Sequence, residues 1–127
     1  MDANMVEKAI ESLPLSGLDL IILENVGNLV CPAETDTGAF SNVVILSVPE
    51  GDDKPLKYPL IFTISDVLVV NKLDYMEMDD FNLDRLQQRV RTLNERINLF
   101  PLSCKTSLGL DSWVKWLEIE LLNFQDV

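Results

Sequence analysis

The chain contains no histidine and only two cysteines among its 127 residues. It therefore lacks the side chain that most often acts as a general acid or base near neutral pH, and with it the commonest nitrogen ligand for zinc. The cysteines, Cys31 and Cys104, stand far apart, which is not typical of a small disulfide-stabilised domain. The absence of histidine excludes histidine-based catalysis and an all-histidine metal centre from this chain, and the two distant cysteines do not suggest a disulfide scaffold.

Basic residues are also few. Ten lysines and arginines are outnumbered by twenty-one acids, which gives a net charge of −11, and Lys8 is the one base in the first 53 residues. Repulsion from phosphates opposes nucleic-acid binding by such a chain. We interpret the acidic amino-terminal half as a solvated surface, with attraction of a basic partner as the alternative.

Long apolar runs are absent as well. No run reaches the length of a membrane span, and the first residues lack the charged-then-apolar pattern of a secretory signal. We therefore expect no membrane association and a cytoplasmic location. The hydrophobic fraction of 47% is typical of a globular chain, and the length suits one domain with a modest core.

Short apolar runs alternate with amphipathic segments along the chain. This alternation predicts an α/β fold with a mainly parallel sheet, because parallel strands need crossover connections between them. Trp113 and Trp116 are assigned to docking of the last helix. The predicted strands are 18–23, 43–48, 67–70 and 98–102; the predicted helices are about 3–12, about 81–97 and from near 109 onward, with a short helix or irregular connection at 54–64.

The tetrapeptide Asn71-Lys72-Leu73-Asp74 follows an apolar run that reads as a buried strand. Ligands bind at the carboxyl ends of parallel strands, so this is where a polar loop can meet a nucleotide. Asp74 offers two acceptor oxygens, which match the N1–H and the exocyclic amine of guanine. Asn71 can tie the loop together, and the Lys72 stem can lie over the purine while its ammonium stays hydrated.

A second loop, Ser103-Cys104-Lys105-Thr106, directly follows the fourth predicted strand. A tight loop there can direct a backbone N–H at guanine O6, which accepts guanine and repels the amine of adenine. Taken alone, the loop could be an ordinary capped turn. Together with Asn-Lys-x-Asp some thirty residues earlier, it predicts a guanine pocket.

Glu24 ends the apolar run Ile21-Ile22-Leu23, and Gly27 follows shortly after. In phosphate-loop proteins an acid at this place holds the water shell of Mg²⁺ or the attacking water, and a glycine lets the backbone approach a γ-phosphate. An acid at the end of a strand is also common without such a role.

Cys31 falls in a predicted exposed loop at 25–41. A thiolate is a good ligand for zinc or nickel. A lone cysteine is more often an inert core residue, and one cysteine cannot complete a metal site. A two-fold dimer would bring two copies together at its axis.

Two longer strings resemble one protein family. Leu23–Glu34 (LENVGNLVCPAE) and Ser47–Pro59 (SVPEGDDKPLKYP) closely resemble the nickel-incorporation GTPase of hydrogenase maturation, the HypB family, and the two polar loops stand in register with them. The resemblance implies a P-loop GTPase of the SIMIBI class that binds GTP and Mg²⁺. It also implies a homodimer in the GTP state that delivers nickel, with HypA and the hydrogenase large subunit as partners.

The resemblance assigns roles by position, and it associates the segment around Lys54 and Lys57 with the dimer interface. The roles it implies are the acid near magnesium for Glu24, sensing of the γ-phosphate for Gly27, binding of Ni²⁺ or Zn²⁺ for Cys31, and the guanine site for Asn71, Lys72, Asp74, Ser103, Cys104 and Lys105.

The departures from the family are large. Its phosphate loop, Gly-x-x-x-x-Gly-Lys-Ser/Thr, its first core strand and its Cys-His metal pair have no counterpart in this sequence. The phosphate loop supplies the amides and the lysine that hold the phosphates. We therefore expect a single partial G domain over residues 1–127, a carboxyl-terminal portion that cannot hydrolyse GTP alone.

Two alternatives stay open. The chain could be a non-catalytic interaction fragment that complements a separate polypeptide carrying the phosphate loop. It could also be related to the urease-type nickel GTPases, although a Cys-Pro-His motif is expected there and Ala33 follows Pro32 here.

Overall fold

The computed structural model describes residues 2–25, 36–77 and 80–125. Three strands, two 3-10 helices and five α-helices are formed within these ranges. In chain order they are α1 (Ala3–Glu11), β1 (Val43–Ser47), the 3-10 helix η1 (Val48–Glu50), α2 (Lys54–Lys57), α3 (Pro59–Ile64), β2 (Val67–Asn71), the 3-10 helix η2 (Leu73–Tyr75), α4 (Leu83–Leu93), β3 (Asn98–Pro101) and α5 (Leu110–Gln125).

The three strands form one parallel sheet in the order β1-β2-β3. In register, Ser47 of β1 pairs with Asn71 of β2, and Val70 pairs with Pro101 of β3. The central strand is buried on both faces from Val67 to Val70, as a continuous apolar run predicts. The predicted parallel α/β fold is confirmed, and the carboxyl ends of all three strands meet at one edge.

Helices cover the sheet on both faces. One face packs Leu46, Leu68 and Val70 against residues of α3 and α4, among them Phe62 and Leu86. The opposite face packs a smaller cluster against α5; its members are Val67, Val69, Leu102, Phe100, Leu110, Trp113 and Trp116. The two tryptophan rings stack with centroids 5.6 Å apart, so the assignment of both to helix docking is confirmed.

The predicted strand at Leu18–Leu23 is wrong. These residues form neither strand nor helix, and their side chains are exposed, with Ile22 at 79%. A strand exists only where a neighbour takes up its backbone hydrogen bonds, and the sheet in the described residues ends at β1. An apolar sequence was therefore not sufficient to form a strand here.

Other boundaries shift by a few residues. The long helix predicted at 81–97 is α4, which ends at Leu93; Ile97 is buried in the core just before β3. Residues 54–64 form two short helices separated by Tyr58. Helix α1 forms as predicted, with the Asp2 carboxylate accepting from the Met5 amide at 3.0 Å, but none of its residues is buried.

Among the described residues, no helix is both long and apolar enough to cross a bilayer.

Candidate guanine-recognition site

Asn71 connects the two predicted guanine loops. It is the last residue of β2, and its side-chain Oδ1 accepts the amide N–H of Lys72 at 2.7 Å and that of Cys104 at 3.1 Å. Lys72 adopts a left-handed conformation with φ 62°, which turns the chain sharply out of the sheet. One amide side chain thus holds two loops that are 33 residues apart in sequence.

Asp74 lies in η2 and is held by Ser103. The Ser103 hydroxyl donates to Asp74 Oδ1 at 2.7 Å and accepts the Thr106 amide at 3.1 Å. Ser103 is fully buried, whereas Asp74 is exposed. Within the described part of the chain, no other protein group donates to this carboxylate, so it keeps acceptor capacity that faces solvent.

The backbone fixes the same loops from below. The Leu73 amide donates to Leu102 O at 3.1 Å, and the Leu102 amide donates to Val70 O at 2.8 Å. The Ser103 amide donates to Leu108 O at 2.8 Å, which closes the second loop on itself. The loops are therefore ordered by hydrogen bonds that involve no ligand.

The outer surface of the site consists of exposed groups. Lys72, Cys104 and Lys105 are exposed, and the Cys104 thiol is free. The Lys105 amide donates to no group that the structure describes, whereas the Cys104 amide is occupied by Asn71. The site thus offers a carboxylate acceptor, a lysine stem and an available backbone donor.

Glu24, the other predicted site residue that the structure describes, is not brought to these loops. Glu24 is exposed in an irregular segment, and no hydrogen bond or ion pair in the described chain links it to either loop. Gly27 and Cys31 lie outside the described residues. Within the described ranges, no group of three or more acidic or cysteine side chains is placed to hold a metal ion.

Sequence reasoning missed a second polar cluster, formed by Asp52, Asn82, Arg85 and Arg89, which we call the Asp52 clamp. Asp52 Oδ2 accepts the Asn82 amide at 2.7 Å and the Arg85 Nη2 and Nε groups at 2.7 and 3.2 Å. Arg89 Nη1 donates to Asp52 Oδ1 at 3.0 Å and to the Asp52 carbonyl oxygen at 2.8 Å.

The Asp52 side chain is almost fully buried among these donors. Burial raises the pKa of its carboxyl, but the hydrogen bonds from Arg85 and Asn82 and the charges of both arginines together hold that pKa below the usual 3.8. The spacing of Arg85 and Arg89 by four residues on one helix was a possible signal. Asp52, the partner of both arginines, is more than thirty residues away in sequence, so no local pattern could predict the cluster.

A cavity of about 270 Å³ lies at the other end of the strands, where it is lined by Thr63, Ser65, Asp66, Asn94 and Asn98 among others. Asp66 immediately precedes β2 and Asn98 begins β3, so the cavity is at the amino ends of the strands. It is therefore separate from the guanine loops, which sit at the carboxyl ends.

The sequence matches the model of one protein family over residues 1–101, described as the CobW/HypB/UreG nucleotide-binding domain. The hydrogenase maturation factor HypB of Escherichia coli K12 is 39% identical over 120 residues, which are 94% of this chain and 41% of that protein. The hydrogenase/urease maturation factor HypB of Helicobacter pylori 26695 is 38% identical over 121 residues, 92% of this chain and 50% of that protein.

Two solved structures have the same fold. HypB from Archaeoglobus fulgidus superposes on 95% of this chain with a TM-score of 0.87 and a sequence identity of 34%. HypB from H. pylori in complex with nickel superposes on 97% of this chain with a TM-score of 0.90 and a sequence identity of 36%. Each match spans 59% of the solved chain. The sequence thus spans about two fifths to one half of the curated relatives it matches. The chain belongs to the CobW/HypB/UreG nucleotide-binding family, and the relatives described above are HypB proteins.

Proposed function

We propose that this chain recognises the guanine base of GTP as part of a nickel-incorporation protein in the maturation of [NiFe] hydrogenase. The observation that carries the proposal is the joining of Asn71, Asp74 and Ser103 into one preformed site at the carboxyl ends of β2 and β3. The role in maturation is supported by the names of the relatives, which are hydrogenase maturation factors.

Each group of the site has a task in reading the base. The Asp74 carboxylate accepts from guanine N1–H and from the exocyclic amine, which adenine does not present in that arrangement. The Lys105 amide is available to donate to O6. The stem of Lys72 covers one face of the purine while its ammonium remains in water.

The phosphates of GTP have no binding loop in this sequence. The sequence contains no Gly-x-x-x-x-Gly-Lys-Ser/Thr loop, and such a loop normally supplies the amides and the cation for the β- and γ-phosphates. We infer that this chain alone binds GTP weakly and does not hydrolyse it. Glu24 and Gly27 remain our candidates for the vicinity of Mg²⁺ and the γ-phosphate; the exposure of Glu24 leaves it free for that role.

The test is the binding of guanosine and adenosine to the full chain, measured by calorimetry or NMR titration. Wild type is expected to bind guanosine more tightly than adenosine. Asp74→Asn is expected to bind guanosine about tenfold more weakly or worse, since hydrogen bonds to a charged group contribute about 1.5–3 kcal/mol. Asp111→Asn, an exposed carboxylate at the start of α5, is the control and should bind like wild type. Equal binding of guanosine by Asp74→Asn and wild type would refute the assignment.

We further propose that Cys31 is a ligand for nickel or zinc at a dimer axis, in a protein that acts with HypA and the hydrogenase large subunit. One of the solved relatives is a complex of HypB with nickel, which supports nickel as the cargo. Cys31→Ser is expected to lower the number of Ni²⁺ or Zn²⁺ ions bound per chain in equilibrium dialysis. Cys104→Ser is the matched control, since Cys104 lies in the guanine loop. Unchanged metal binding by Cys31→Ser would remove Cys31 from the site.

A second function is favoured by the open edge of the sheet. Within the described residues β1 has a strand on one side only, and Ile45 on this strand is 61% exposed. The solved relatives superpose on nearly the whole chain and contain further residues besides. The chain could therefore act as an interaction fragment that is completed by a polypeptide carrying the phosphate loop.

A further inference from the structure

The Asp52 clamp lies outside the guanine site, but it joins the turn after η1 to the start of α4, and η1 contacts η2, which carries Asp74. We propose that Asp52 is a positioning residue for guanine recognition and acts through this backbone without touching the base. The proposal deepens the guanine assignment and rests on it, since the reading of guanine by Asp74 is itself proposed.

The first connection runs through η1. The Gly51 amide donates to Val48 O at 3.1 Å, so the turn that holds Asp52 continues directly from η1. Helix η1 in turn lies against η2. Arg89 donates to both the carbonyl oxygen and the carboxylate of Asp52. Because these bonds hold the turn in place, they also hold the position of η1.

The second connection runs through the start of α4 and the core. The Asn82 amide, directly before α4, donates to Asp52 Oδ2 at 2.7 Å. The Asn82 side chain caps α4 by accepting the Arg85 amide at 2.9 Å, and the preceding Phe81 is buried. Met76, which follows η2, packs against the core cluster that contains Phe81, so the start of α4 and the end of η2 share one packing environment.

Only a carboxylate satisfies this cluster. Three N–H groups of two arginines and one backbone amide converge on two side-chain oxygens. An asparagine would replace one oxygen with an NH₂ group, which cannot accept, and would leave at least one of these donors facing another donor. Because a recognition group must stand within about 0.5 Å of its productive position, loosening the clamp should reach Asp74.

The test compares wild type, Asp52→Asn and Asp53→Asn as full chains. Asp53 is the matched control: it is the next residue, its side chain is exposed, and its ion pair is with Lys57 at 3.2 Å. Amide hydrogen exchange is followed at Tyr75 and Met76, which donate within and just beyond η2, and at Leu102 in the sheet as a reference. The ratio of guanosine to inosine affinity is measured in parallel. Inosine lacks the exocyclic amine, and the ratio does not depend on how much of the protein is folded.

In Asp52→Asn we expect exchange at Tyr75 and Met76 to rise about tenfold with little change at Leu102, and the guanosine/inosine ratio to fall towards one. Asp53→Asn should keep the wild-type values. Faster exchange confined to Asn82 and Arg85, or an equal effect of Asp53→Asn, would overturn the proposal. Arg85→Lys keeps the charge but loses the fork of donors, and it decides the question if Asp52→Asn does not fold.

The two proposals can fail separately. Wild type with no preference for guanosine over inosine would refute the guanine assignment. The exchange rates of ligand-free protein would still show whether Asp52 holds η2, and unchanged rates at Tyr75 and Met76 would refute the positioning role whatever the nucleoside data.

Discussion

The Ser103 hydroxyl is the single group in the described chain that connects Asp74 with the second loop of the candidate site. It donates to the carboxylate expected to read guanine and accepts the amide that closes its own loop, so one group orients two others. Ser103 is fully buried, which leaves no room for exchange of these partners with solvent. A buried group with both bonds satisfied stabilises the loop only while both partners remain in place.

Ser103→Ala is expected to destabilise the chain by about 1–3 kcal/mol, because the hydrogen bonds of the buried hydroxyl to the Thr106 amide and to the Asp74 carboxylate are both lost. Guanosine affinity should fall as well, since the carboxylate can then turn away from the base. Urea denaturation and nucleoside titration measure the two effects.

Ser112→Ala serves as the control for this substitution. Ser112 is exposed on the first turn of α5 and makes no side-chain hydrogen bond among the described residues. A loss of stability in Ser103→Ala no larger than in Ser112→Ala would show that the buried hydroxyl does not order the site.

At the scale of elements, strands that are buried on both faces were predictable from their residues. Val67–Val70 is a continuous apolar run ended by Asn71, and the structure places β2 there with the predicted polar loop at its carboxyl end. The inward positions of α4 were equally clear, since Leu86 and Val90 are buried four residues apart. In both cases a local pattern contains the information.

The wrong strand prediction and the missed Asp52 clamp have one physical cause. In both, the local structure depends on residues that are distant in sequence. Leu18–Leu23 has the composition of a buried strand, but strand formation depends on a neighbour that no local pattern reveals. Nothing in the local sequence distinguishes Asp52 from its neighbour Asp53, yet the Asp52 side chain is buried by Arg85 and Arg89 whereas the Asp53 side chain is exposed.

Gly109 links the second guanine loop to α5. Its φ is 79°, and a Cβ at this position would lie 2.4 Å from the carbonyl oxygen of Pro101 at the end of β3. Only glycine permits so close an approach of the loop to the strand. The path of the chain into α5 therefore depends on a residue without a side chain. The hydrogen bond from the Ser103 amide to Leu108 O depends on the same residue.

At the scale of the whole molecule, the sheet is covered unevenly. The face that packs on α5 includes Val67 and Val69 of β2, whereas their register partners Val43 and Ile45 on β1 remain exposed. Open strand edges with apolar neighbours are where another chain adds a strand. The apolar residues of Leu18–Leu23 are exposed as well, and no residue of α1 is buried.

The interaction-fragment function predicts that this surface binds the remainder of a HypB-type domain. The full chain should form a one-to-one complex with a separately produced polypeptide corresponding to the part of H. pylori HypB that the chain does not span. A new strand beside β1 would protect the β1 amides from hydrogen exchange and cover Ile45. Ile45→Asp should weaken the complex at least tenfold, or about 1.4 kcal/mol, because a charge would be buried without a partner.

Leu56→Asp is the matched control for Ile45→Asp. Leu56 is 64% exposed, close to the value of Ile45, but it lies on α2 and not on the sheet. An effect specific to Ile45 would place the contact on β1, because both substitutions add the same charge to an equally exposed apolar site. Equal weakening by both, or pairing of two copies of the chain through β1 in place of the complex, would exclude the interaction-fragment function.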